Sequence, residues 1–223
     1  MFESGTGAIN APLMAGMATG ARTTKSSHPH FLRMMSELAS LMGQRGLSVE
    51  LPFWQSTKGE LVKRLADLGL GELGARSLSC AHLPRRSGRR QCGHCAACLT
   101  RRQSLAFAGI YESAQEYEYD VFATDQADIT PENKLDDLKA VLGQVLDFED
   151  IGPSLTLTPQ LRQWLLGTKI IQSEHEAKPW LKVLWRYSRE WCQLARKHRH
   201  AALPWADWLI RPNTEIDTNA SGF

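Results

Sequence analysis

Four of the five cysteines in this 223-residue chain fall within 19 positions: Cys80, Cys92, Cys95 and Cys98. The segment reads Ser79-Cys80, eleven residues, then Cys92-Gly93-His94-Cys95-Ala96-Ala97-Cys98, so two CxxC steps share a cysteine. Dispersed cysteines would read as core residues or disulfides. A tight cluster in a compartment that keeps thiols reduced reads as a metal site. Zinc suits the spacing, because it takes four thiolates in a tetrahedron and a CxxC turn brings two sulfurs to one ion. An iron–sulfur cluster is the alternative, since thiolate ligation alone does not exclude it. Gly93 lets the chain turn with its amides toward sulfur, and Cys98 is expected near the start of a helix, whose amides favour anionic sulfur. His94 is read as exposed, four thiols being already at hand. Four thiolates around Zn²⁺ leave a net charge of −2, which Arg85, Arg86, Arg89, Arg90, Arg101 and Arg102 are placed to offset. With four protein ligands the ion has no open position, so it is structural and holds a loop, 79–98, that has no apolar core of its own. Cys192 lies far off in a Trp-rich helical segment.

The rest of the composition bounds the class. A chain of this length can bury a core of its own as one domain, or one plus a small appendage. Its 26 basic and 24 acidic residues nearly balance, which excludes a general nucleic-acid coat protein and a polyacidic tail. No run of 18 apolar residues is present, so no transmembrane helix is expected. The start, MFESGTGAINAPLM, lacks a basic region followed by an apolar one, so no signal peptide is expected and the expected location is cytoplasmic.

Periodicity divides the chain into three regions. Residues 1–78 read as α/β: a short strand in GAINAPLM (7–14), a polar loop over 18–30, a helix over 31–46 with apolar residues on one face, a strand in SVELPFW (48–54), and a helix over 57–69. Thr57 with Glu60 forms a capping box for that last helix, and Gly43 or Gly46 stops the one before it. This order is a βαβα fragment of a parallel sheet, and two strands are too few to stand alone. The cysteine region follows. Residues 111–223 read as mostly helical: 129–150 with Thr130 as cap and Pro131 at the first helical position, 157–167 with a second Thr-Pro start, and a long helix over 178–199. The polar end from Pro212 is expected to be disordered.

The order of motifs carries a resemblance. Thr57-Lys58-Gly59-Glu60-Leu61-Val62, then Ser79-Cys80, then Cys92 to Arg102, then Phe107-Ala108-Gly109, resembles the C-terminal half of the 7-cyano-7-deazaguanine synthase family of queuosine biosynthesis. The segment GTGAIN (5–10), with Arg22-Thr23 and His28-Pro29, looks like a divergent branch found in bacterial anti-phage defence clusters. The likeness spans about residues 3–110. It implies a partial adenine-nucleotide α-hydrolase-like parallel sheet within a helix-dominated α/β chain, with a structural zinc loop over 79–100 and a C-terminal helical extension. Domain 1–110 would then be followed by the extension 111–211 and a tail 212–223. It also implies Cys80, Cys92, Cys95 and Cys98 as zinc ligands, ATP as cofactor, and a deazaguanine substrate. In that chemistry the carboxylate of 7-carboxy-7-deazaguanine is activated as an adenylate, ammonia gives the amide, and a second activation gives the nitrile. One departure is large: the family's Ser-Gly-Gly-x-Asp-Ser pyrophosphate loop is absent from these 223 residues. Glycine amides and a hydroxyl must wrap an anionic pyrophosphate, so this chain is expected not to be competent alone. A protein partner would supply the ATP-binding half or dock on the Trp-rich helices. The reading from another class is a non-catalytic zinc-stapled interaction subunit of a defence or nucleic-acid-processing complex.

Further residues stand as substrate candidates. Arg22, Thr23 and His28 sit in a polar loop after the first expected strand, where parallel sheets bind ligands, and Lys58 could reach a phosphate or carboxylate. The bland readings are a mobile loop for the first set, a structural role for His28, and a solvent-facing helix lysine for Lys58. Catalytic residues cannot be named from the sequence. Trp180, Leu184, Tyr187 and Trp191, with Leu181, Trp185, Ser188 and Cys192 alongside, form a wide apolar face that reads as core, with a partner interface as the alternative. A zinc-ribbon nucleic-acid binder would show steeply salt-dependent binding, and the near-neutral charge argues against direct nucleic-acid contact.

Overall fold

The structure, a computed structural model, describes residues 28–43, 51–82, 90–122 and 135–199. These residues form seven α-helices: α1 (Pro29–Leu41), α2 (Lys58–Asp67), α3 (Gly71–Arg76), α4 (Ala96–Phe107), α5 (Asp136–Glu149), α6 (Pro159–Gly167) and α7 (Ala177–Arg199). Two short 3₁₀ turns lie at Ala114–Glu116 and Glu174–Glu176.

Local chemistry accounts for the helix ends. At α2 both halves of the capping box form: Thr57 Oγ1 accepts from the Glu60 amide at 3.0 Å, and Glu60 accepts from the Thr57 amide at 2.9 Å. At α6 Thr158 caps through the Leu161 amide, with Pro159 at the first turn. Helix α1 stops at Met42, and Gly43 follows with φ of 79°, a left-handed turn that glycine adopts without strain.

The parallel sheet is not found: the described residues contain no strand, only an isolated parallel bridge between Gln91 and Tyr117. Residues 51–54, the end of the expected SVELPFW strand, form a turn instead. Pro52 cannot donate to a ladder, the Trp54 amide bonds back to the Leu51 carbonyl at 3.2 Å, and the Trp54 ring packs on Trp180 at 4.8 Å between centroids. The GAINAPLM strand, the Thr130-Pro131 helix start and the 212–223 tail lie outside the described residues.

The main core forms where α4, α5, α6 and α7 meet. Leu99 from α4, Val141, Val145 and Phe148 from α5, Leu165 from α6, and Leu184 and Trp191 from α7 are buried in one cluster. The Trp180 to Cys192 face lies inside it: Leu184 and Trp191 have no exposed surface and Tyr187 is 4% exposed. Burying each such side chain is worth roughly 1.5–3 kcal/mol before entropy is counted. The cysteines form a separate small cluster whose only other buried apolar residue is Tyr117. Helix α1 and its C-cap leave Phe31, Met34, Leu38, Leu41 and Met42 largely exposed, beside an open groove of about 1050 Å³ walled by Leu32, Arg33, Trp54 and Trp180. Among the described residues no helix is long and apolar enough to cross a membrane.

Candidate metal centre

The cysteine segment is shaped by its backbone before any metal is considered. Gln91 bonds in both directions to the 116–118 segment, its amide to the Glu116 carbonyl and its carbonyl to the Glu118 amide, each at 2.9 Å. The Tyr119 amide donates to the Cys92 carbonyl at 3.3 Å. Gly93 turns with φ of 81°, and a Cβ there would land on the Tyr119 carbonyl oxygen. Only glycine fits this approach. Cys95 is the N-cap of α4, and the first helical amide, Ala96, donates to the Asp137 carboxylate of α5 at 3.0 Å.

This frame turns the thiols inward. Cys80, Cys92, Cys95 and Cys98 are all buried and none is in a disulfide. Cys92 Sγ stands 3.8 Å from Cys98 Sγ. Two thiolates at about 2.3 Å from one tetrahedral ion would be about 3.8 Å apart, so this spacing fits a shared ion. Backbone amides already point at sulfur: Cys92 N–H at Cys80 Sγ (3.3 Å) and Cys95 N–H at Cys92 Sγ (3.4 Å). The thiols also perturb one another. Hydrogen bonds from Cys92 and Cys98 push the Cys95 thiol far down. The Cys92 thiol is pushed up to about 12, first by its bond to Cys95, and Cys98 is pushed up by its bonds to Cys92 and then Cys95. Buried thiols this close together, two of them met by backbone N–H groups, could hold a metal ion.

One donor was not visible in the spacing. The ligand atoms of Cys80, His82, Cys92 and Cys95 lie within 4.8 Å of one another, with His82 Nδ1 3.5 Å from Cys92 Sγ. A histidine two residues after the first cysteine was the available signal. His94 is half-buried rather than exposed, and its ring lies between His82 (5.6 Å) and Tyr119 (5.8 Å).

The arginines do other work than expected. Arg101 is 3% exposed, pairs with Glu112 at 2.7 Å, and donates to the Gly74 and Ala75 carbonyls and to Ser77. Arg102 pairs with Asp120 at 2.7 Å and lies over the Tyr117 and Phe122 rings. Their charge is matched by carboxylates. Arg85, Arg86 and Arg89 lie outside the described residues, as do Arg22 and Thr23.

His28 and Lys58 are not brought to the groove. His28 is buried as the N-cap of α1, its Nδ1 accepting from the His30 amide at 3.2 Å. Lys58 opens α2 and is half-buried, not solvent-facing; burial, then the nearby Arg101 charge, holds its ammonium below the usual lysine range.

Residues 17–109 match the family model described as queuosine biosynthesis protein QueC. This is the 7-cyano-7-deazaguanine synthase family whose C-terminal half the motif order resembles. The matched stretch takes in the Thr57-Lys58 helix start and all four clustered cysteines, and is less than half of the 223 residues. No curated protein and no solved structure matches the chain.

Proposed function

We propose that this chain is a zinc-containing, 7-cyano-7-deazaguanine synthase-like protein. It would take part in ATP-dependent conversion of a 7-carboxy-7-deazaguanine carboxylate to amide or nitrile, in the queuosine pathway or an anti-phage defence derivative of it. The observation that carries this reading is the coincidence of the QueC match over 17–109 with four buried thiols converging inside it. Cys80, Cys92, Cys95 and Cys98 would hold the zinc, with no open position left, so the ion would serve as a staple. The pyrophosphate loop would come from outside these residues, from a partner that brings the ATP-binding half. The purified, zinc-loaded chain is to be given ATP, ammonium and 7-carboxy-7-deazaguanine. AMP and pyrophosphate release above a Cys95→Ala control supports an enzyme. Release that needs an added phosphate-loop partner supports a half-enzyme.

A second reading, a non-catalytic zinc-stapled interaction subunit, is favoured by the exposed apolar side chains of α1 and the open groove beside them. It gains if no release is seen with any such partner.

A further inference from the structure

The ligand atoms of Cys80, His82, Cys92 and Cys95 lie within 4.8 Å of one another, and Cys98 Sγ adds a fifth donor against Cys92, where a tetrahedral ion has four places. Cys98 Sγ stands 3.8 Å from Cys92 Sγ, and His82 Nδ1 stands 3.5 Å from it. Zinc–sulfur bonds of about 2.3 Å and zinc–nitrogen bonds of about 2.0–2.1 Å put two thiolates about 3.8 Å apart, and a thiolate and an imidazole about 3.5 Å apart. Cys98 and His82 therefore each stand from Cys92 as a ligand sharing its ion would stand. The two differ in how they are held. Cys98 is fixed within α4 and fully buried. His82 is half-exposed in the turn after Cys80, with its ring tilted 30° against His94.

We propose that His82 is a reserve ligand, able to take the fourth place on a tetrahedral divalent ion when Cys98 does not hold it. The ion would then be carried by Cys80, Cys92 and Cys95 with either Cys98 or His82. The exchange changes the local charge, because a neutral imidazole replaces a thiolate and the site goes from −2 to −1. The inference rests on the metal reading above.

Zinc content and cobalt(II) absorption of the full chain separate the possibilities. The variants are Cys98→Ser, His82→Ala and the double variant, beside the unaltered chain. The expected result is one bound ion in Cys98→Ser, with d–d bands moved to higher energy and a weaker thiolate charge-transfer band, the signature of three sulfurs and one nitrogen. Adding His82→Ala should then abolish binding. Loss of the ion in Cys98→Ser alone overturns the proposal, as does equal retention by Cys98→Ser and the double variant. An unaltered chain that holds no ion sinks the metal reading itself. Should Cys98→Ser fail to fold, His82→Ala with all four cysteines intact serves instead. Zinc transfer to a chromogenic chelator should be roughly tenfold faster in that variant, and an unchanged rate overturns the proposal.

Discussion

Gln103 on α4 donates a 2.8 Å hydrogen bond to the Glu190 carboxylate on α7, and both side chains are buried. Thr57, the cap of α2, donates to the other Glu190 oxygen. Gly59 gives the oxygen bonded to Gln103 room, since a Cβ there would overlap it. One carboxyl group thus joins three helices. Burial pushes it up to about 7, against the bonds from Thr57 and Gln103 that favour the anion; Glu60 nearby adds to the rise and Arg186 opposes it.

The sign of the pH effect follows. The folded chain keeps this proton to a higher pH than the unfolded chain, so the contribution is fully present below pH 4.5 and is lost as pH rises toward 7. A shift of this size is worth on the order of 3 kcal/mol. Urea midpoints measured from pH 4.5 to 7.5 should fall with rising pH from this group. In Glu190→Gln that component should vanish. A slope identical in the two proteins would show that Glu190 does not titrate in this range.

Metal removal should act locally. The cysteine cluster and the main helical core are separate, so a zinc chelator should leave most far-ultraviolet helical signal intact. It should also make Cys80, Cys92, Cys95 and Cys98 reactive to alkylation. Cys192 should stay protected, being 2% exposed with its thiol pushed up to about 12 by burial. Mass spectrometry of the alkylated chain reads the pattern, and labelling of all five at one rate would mean that the whole fold depends on the ion.

Gly93→Ala should cost at least about 2 kcal/mol and abolish zinc retention, because the new methyl meets the Tyr119 carbonyl in a left-handed turn. Gly143→Ala, on an α5 face where nothing lies within 4 Å of the added carbon, should instead stabilise by roughly 0.5–1 kcal/mol. Denaturant unfolding of the pair tests both; a tolerated Gly93→Ala would disprove the close approach.

Arg101→Ala should destabilise by about 3–5 kcal/mol, because it strands the buried Glu112 carboxylate and two carbonyls. Arg101→Lys should recover little, since one ammonium cannot reach all four partners that the guanidinium fork serves. Thermal unfolding of both variants decides it, and a full rescue by lysine would mean that charge alone matters at this position.

What could be read in advance was what depends on neighbours in sequence. Thr57 with Glu60, and Thr158 with Pro159, announce helix starts because caps act within three residues. The apolar spacing of 31–42 announces α1 for the same reason. Residues 51–54 misled because alternation is also what a turn shows when Trp54 is claimed by Trp180, far along the chain. The arginines misled likewise: proximity to four cysteines suggested charge balance, while Glu112 and Asp120 come alongside only when the 111–122 segment folds back. The four cysteines were legible as a group, but His82 was not, since Cys80 and the three cysteines of the two CxxC steps already filled every place on an ion.

The bond from Ala96 to Asp137 spans 41 residues, and that span sets a schedule on the ribosome. All four thiols are made before either Tyr119 or Asp137 exists to fasten their loop. At about 5–20 residues per second, the nascent chain carries four unsecured cysteines for on the order of several seconds. During that interval the thiols lack the Tyr119 and Asp137 contacts that later fasten their loop, and only the reducing or oxidising character of the compartment decides whether they stay free for a metal.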